Sequence, residues 1–198
     1  MARPESPRSR EQRQRTRIAQ NAARLIAEHG LSDWSAAKRK ACRELGLADN
    51  EPLPGNEEVE QALRDYNSLF RRDAQAASLR EQRRVALRWM DQLSAWKPVL
   101  TGGAAAGWAT AHSEIRLELE AEDPKGVELS LINAGVDYAA APGSAQAELV
   151  AGRGSAAVRL HIVTPLQRRN RTRRDDDVRL DANELRALLA ADTTSALG

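Results

Sequence analysis

The chain has one cysteine, Cys42, few aromatic residues (4% of the total) and no long apolar run. A single thiol excludes an internal disulfide and any Cys-x-x-Cys or Cys/His zinc spacing, which suits a reducing compartment. No stretch approaches the roughly 20 apolar residues of a membrane span. The basic N-terminus lacks the apolar core of a secretory signal. A cytoplasmic location with no membrane partner is therefore expected. No GxxxxGK[ST] loop and no GxSxG elbow occurs, which argues against a Walker-type nucleotidase and a serine hydrolase. With so few aromatics, the core must rest on Leu, Ala, Val and Ile.

What is present is arginine in clusters. The net charge is only +2 over 198 residues. Yet basic residues bunch at Arg3–Arg17 and in RRNRTRRDDD, Arg168–Asp177. Residues 1–13 combine proline, serine and arginine without apolar periodicity and are expected to be a disordered tail. From Gln14, Ile18, Ala22, Leu25 and Ile26 fall on one helical face, with Gly30 as the terminating glycine. Asp33 or Ser35 should cap a second helix ending at Gly46. Ala48–Asn56 is a loop by its Pro, Gly and Asn content. Asn56 should cap a third helix with the stripe Val59, Leu63, Tyr66 and Phe70. A fourth, from about Ala76 to Trp96, places Leu79, Ala86, Met90 and Leu93 inward and stops before Pro98.

The second half changes period. Ser113–Ala121 alternates strictly: Ile115, Leu117 and Leu119 on one face, Glu114, Arg116, Glu118 and Glu120 on the other, as in a half-buried strand. Asp123-Pro124 reads as a cap and first-turn proline opening a helix with Val127, Leu131 and Ile132, closed by Gly135. Val136–Ala140 is a further strand candidate. Ala145–Val150 and Ala156–Val163 flank a GRG turn and should pair as a hairpin. Arg168–Asp177 is expected to be a charged loop. Asp181 or Asn183 should cap a last helix carrying Leu185, Leu188 and Leu189. The expected fold is α+β: a helical domain over 14–97, a small mixed or antiparallel sheet domain over 98–192, and a loose tail over 193–198.

The segment GGAAAGWATAHSEIRL, from Gly102 to Leu117, resembles the signature of nucleotidyltransferase-fold proteins, which in small bacterial members reads GSRARGxxxxxSDIDL. Gly102-Gly103 fall on the Gly-Ser pair and Gly107 on the second glycine. Ser113, Ile115 and Leu117 fall on the Ser, Ile and Leu around the family's two aspartates. The resemblance implies a nucleotidyltransferase-like topology in the second half. It also implies a site in which turn glycines approach phosphate and carboxylates two apart on one strand face hold Mg²⁺. Glu114 stands at the first aspartate position and Arg116 at the second. An arginine is permanently charged and cannot ligate a cation. The strand Ala156–Val163, where a third carboxylate belongs, offers Arg159 and His161 instead. The expectation is a catalytically degenerate, non-enzymatic member of the fold. It would serve as a binding or scaffold module for a nucleotide or RNA phosphate, using Gly102, Gly103, Ser113, Arg116, Arg159 and His161. No metal or other cofactor is expected. An active Mg²⁺-dependent enzyme with carboxylates rearranged to Glu114, Glu118 or Glu148 is the alternative, with Glu114 the candidate catalytic group.

EHGLSDWSAAKRKACRELGL, Glu28–Leu47, is similar to a stretch EHGxxDxxxAKRKAxRxLGL found in uncharacterised proteobacterial proteins, which would join both halves in one family with a degenerate nucleotidyltransferase-like C-terminal domain. Arg15–Leu47 also looks like the opening of tetracycline-repressor-type regulators. There the residues after Gly46 should form a recognition helix, and Pro52 and Pro54 forbid one. A DNA- or RNA-binding regulator therefore remains a third reading, with Lys38, Arg39, Lys40 and Arg43 as phosphate contacts and DNA the less favoured partner. His29 suits a helix C-terminus, His112 neighbours the glycine motif, and Cys42 suits a small core position.

Overall fold

A computed structural model describes residues 7–29, 31, 33–48, 51–70, 72–141, 147–170 and 178–195. The chain forms two compact units: residues up to Ala76 with Thr110–His112, and Ala77–Ala109 with Ser113 onward. The division falls at Ala76–Ala77 rather than between residues 97 and 98.

The first unit is helical. Helix α1 spans Pro7–His29, α2 Trp34–Glu44 and α3 Asn56–Phe70. Helix α1 starts at Pro7, inside the segment expected to be disordered; proline is tolerated in a first helical turn because its missing N–H is unneeded there. The apolar face is as the periodicity predicts, with Ile18, Ala22, Leu25 and Ile26 buried against Ala37, Ala41 and Cys42 of α2 and Val59 and Leu63 of α3. Asp33 caps α2 by accepting the Ala36 N–H at 3.1 Å. Phe70 departs from expectation: the α3 stripe runs out of the core and leaves it 71% exposed. Gly30 lies outside the described residues.

The second unit is a five-stranded mixed sheet with helices. Its strands are β1 (Val99–Thr101), β2 (Ile115–Glu120), β3 (Tyr138–Ala140), β4 (Glu148–Ala151) and β5 (Val158–Val163), in the order β1-β2-β5-β4-β3. β2 and β5 run parallel, and the other pairs are antiparallel. The GRG turn does link an antiparallel pair, β4 and β5. Helix α4 (Arg72–Gln92) contributes Val85, Ala86, Trp89 and Met90 to the core of the sheet, which is why α4 from Ala77 belongs to this unit. Leu117, Leu119, Leu160 and Ile162 form the buried sheet face.

Helix α5 (Gly102–Ala106) is a single short turn, and α6 spans Pro124–Asn133. Asp123 caps α6 by accepting the Lys125 N–H at 2.9 Å, with Val127 and Leu131 inward. Ile132, one position on, is turned out and exposed. Helix α7 (Pro165–Asn170) replaces the first part of the expected charged loop. Thr164 and Gln167 make a reciprocal capping box, each side chain accepting the other's backbone N–H. Arg171–Asp177 lie outside the described residues. Helix α8 (Ala182–Ser195) extends into the expected loose tail, with Asp181 capping it and Leu185 fully buried.

Candidate functional site: an ionic face beside the glycine turn

The alternation of β2 and β5 puts their apolar residues on the core face and leaves Arg116, Glu118, Arg159 and His161 on the other. Register fixes who meets whom. Thr101 pairs with Arg116, Arg116 with Arg159, and Glu118 with His161, which also pairs with Glu148 on β4. The glycine turn follows Thr101 directly, so Arg116 lies beside it: a Cβ placed on Gly102 would stand 3.6 Å from Arg116 Cδ. Arg116, Arg159 and His161 thus share one sheet face, with Gly102 beside Arg116. Ser113 and Glu114 lie in the coil just before β2, not within it. The Ser113 carbonyl accepts a bond from Gln82 Nε2 at 3.2 Å.

Arg116 and Arg159 are like charges side by side, an arrangement that repels. Glu114 resolves it. Arg159 donates from Nε and Nη2 to the two Glu114 carboxylate oxygens at 3.0 and 2.9 Å. Arg116 Nη2 reaches the same Oε2 at 3.4 Å. Arg159 also donates from Nη1 to Glu148 at 3.2 Å, and Glu148 contacts His161 Nδ1 at 3.2 Å. Hydrogen bonding to Arg159, reinforced by both guanidinium charges, holds the Glu114 carboxyl below the usual carboxylate range despite partial burial. Arg159 is correspondingly raised, chiefly by Glu114. Arg159 is thus doubly committed, with 23% of its side chain exposed. Arg116 is lightly held and 54% exposed.

Mg²⁺ is a poor fit for these residues. Glu114 and Glu148 both clasp the Arg159 guanidinium, so a cation between them would displace a bound positive charge. Among the described residues, no three His, Cys, Asp or Glu side chains form a metal-binding set. Glu118, on the same face, is taken up by other cations: it is 1% exposed and paired with Arg168 at 3.3 Å and with Arg179.

The glycines have local duties. Gly107 ends α5 in the left-handed conformation, and the Gly103 carbonyl accepts the N–H groups of Gly107, Trp108 and Ala109. Gly103 itself is buried, and a Cβ there would meet the Trp108 ring at 2.6 Å. Its need for glycine is therefore one of packing. Gly103→Ala should lower stability by about 1–3 kcal/mol through this overlap, read as a shifted denaturation midpoint. An unchanged midpoint would show that the ring swings aside freely.

Sequence reasoning missed Arg83. Its Nε donates to the Ala104 carbonyl at 3.0 Å and its Nη1 stands 3.6 Å from Asp192, so it braces the glycine turn from beneath. Burial pushes its guanidinium below the usual value, against the pull of Asp192. A polar residue in the middle of α4 offers no local sign of this. Its partners are a backbone carbonyl and a carboxylate far along the chain.

In the first unit, Lys38 is buried and donates to Asn56 Oδ1 at 2.7 Å. Burial lowers its ammonium value, while Glu58 opposes the shift. It is therefore not part of an outward basic face with Arg39, Lys40 and Arg43. Arg39 and Arg43 are exposed and Lys40 is half-buried. His29 stands exposed in the last turn of α1, His112 is exposed and Cys42 is buried. A cavity of about 480 Å³ lies between α1 and α3. Its charged lining residues, Glu58 and Asp65, are acidic and do not suit an anionic ligand. No helix among the described residues is long and apolar enough to cross a membrane.

No family model matches the sequence, and no curated protein or solved structure matches it either.

Proposed function

We propose that the second unit is a nucleotidyltransferase-like domain that has lost metal-dependent catalysis and binds a nucleotide or RNA through phosphate. The carrying observation is the position of Arg116. It stands beside the glycine turn, on the strand face where the resembling proteins carry a metal-binding carboxylate, and it is more exposed than Arg159 or His161 on that face. A permanently charged, planar donor there meets phosphate directly, without a bridging cation. The parallel pairing of β2 and β5 supports the same reading by setting Arg159 beside Arg116.

The test is thermal stabilisation of the full chain by ATP without Mg²⁺. Wild type is expected to melt higher with ATP, and Arg116→Ala is expected to lose the shift while melting normally alone. The absence of a shift with any nucleotide or oligoribonucleotide in wild type would overturn the proposal. Mg²⁺-dependent nucleotide incorporation, abolished in Glu114→Gln, would replace it with an active enzyme.

A further inference from the structure

We infer that Arg116 and Arg159 form a two-guanidinium cradle for one terminal phosphate group, and that the Glu114 carboxylate occupies this cradle as an internal stand-in until such a ligand displaces it.

The geometry carries the inference. A carboxylate held by two N–H groups of one guanidinium presents two oxygens in the spacing that a phosphate monoester presents. Glu114 is held that way by Arg159, at 3.0 and 2.9 Å. Its Oε2 is also the atom that Arg116 approaches at 3.4 Å. Both guanidinium groups therefore already converge on the position of one anionic oxygen. A terminal phosphate placed there gains the fork of Arg159 and the free donors of Arg116. Its charge of nearly −2 balances both cations more fully than one carboxylate does.

Displacement is structurally cheap. Turning the Glu114 side chain outward breaks only its bonds to Arg159 and Arg116, which the phosphate replaces, and no backbone bond. About 38% of it is already exposed. Arg159 stays in place meanwhile, because Glu148 holds its Nη1 from the neighbouring strand and is itself in contact with His161. The cradle thus has a fixed side, Arg159 on Glu148, and a movable occupant, Glu114. The inference rests on the proposed phosphate-binding function and adds that Glu114, although inside the site, opposes the ligand.

The experiment titrates inorganic tripolyphosphate into the full-length protein by calorimetry, comparing wild type, Glu114→Gln and the double variant Glu114→Gln/Arg159→Gln. Removing the internal anion should tighten binding by at least about ten-fold, and removing Arg159 as well should abolish that gain. In wild type, the Arg159 Nε–Hε resonance should move on adding tripolyphosphate; this reports on displacement even if a variant folds poorly. If Glu114→Gln binds no more tightly and the Arg159 resonance stays still while wild type binds, the ligand sits on Arg116 alone. The cradle is then overturned and the phosphate-binding function survives. If wild type and Glu114→Gln both fail to bind, both are overturned.

Discussion

Replacing Glu118 with glutamine is expected to destabilise the sheet unit by about 3–5 kcal/mol, the cost of removing one partner from a buried ion pair. Glu118 is almost wholly enclosed, and its carboxylate faces Arg168 and Arg179, whose own side chains are largely covered. Glutamine keeps the shape but leaves two buried cations without their shared anion. Arg168 retains Glu120 at 3.5 Å and the Lys97 carbonyl, so the loss falls mainly on Arg179 and the effect should lie toward the lower end. Urea denaturation followed by tryptophan emission will read it, because Trp89, Trp96 and Trp108 all belong to this unit. A loss under about 1 kcal/mol would mean that the carboxylate is solvated and behaves as a surface pair.

The second large effect is expected at Trp89. Its ring packs in the core of the sheet, its Nε1 donates to the Ala156 carbonyl at 2.9 Å, and Cζ2 lies 3.0 Å from where a Cβ on Gly152 would stand. Trp89→Ala should cost about 3–5 kcal/mol from lost burial and the cavity left behind. Trp89→Phe, which keeps most of the ring but orphans the carbonyl, should cost about 1–3 kcal/mol. Both can be read from far-ultraviolet circular dichroism in urea. Equal losses for the two variants would locate the stability in the hydrogen bond rather than the ring. No loss in either would detach α4 from the sheet.

These two residues also show what a sequence can and cannot announce. Trp89 is legible as an apolar residue beside the stripe of Leu79, Ala86, Met90 and Leu93. What it packs against is not, and that is why α4 joins the sheet unit at Ala77 although its period alone groups it with the preceding helices. Glu118 is legible as the polar face of an alternating strand, and there alternation misleads. Period-two patterning says which face a side chain is on, not whether that face is wet. Here the cover is supplied by two arginines from well downstream, with no local signal.

Boundaries set by local chemistry read well. Asp33, Asp123-Pro124 and Asp181 each mark a helix start, because a cap acts within three residues of itself. Thr164-Pro-Leu-Gln167 carries the same kind of signal for α7, and reading Arg168–Asp177 as a loop misses it. In the site, spacing sets Arg116 and Glu118 on one face of β2 and Arg159 and His161 on one face of β5, but that these are the same face of the sheet follows from the pairing. The sharing of a single Glu114 oxygen by two guanidinium groups depends on strand register, which a one-dimensional pattern does not contain.

The parallel pairing at the centre of the sheet also bears on how the unit assembles. β4 and β5 are joined by a short turn and can close early at little entropic cost. β2 meets β5 only after α6, β3 and β4 have crossed over between them, with Ile115 reaching Val158. Such non-local contacts are slow to form, since chain entropy is lost before the contact repays it. On loop-closure entropy the pairing that seats Arg116 against Arg159 is expected to close after the β4–β5 hairpin, and the proposed anion cradle with it.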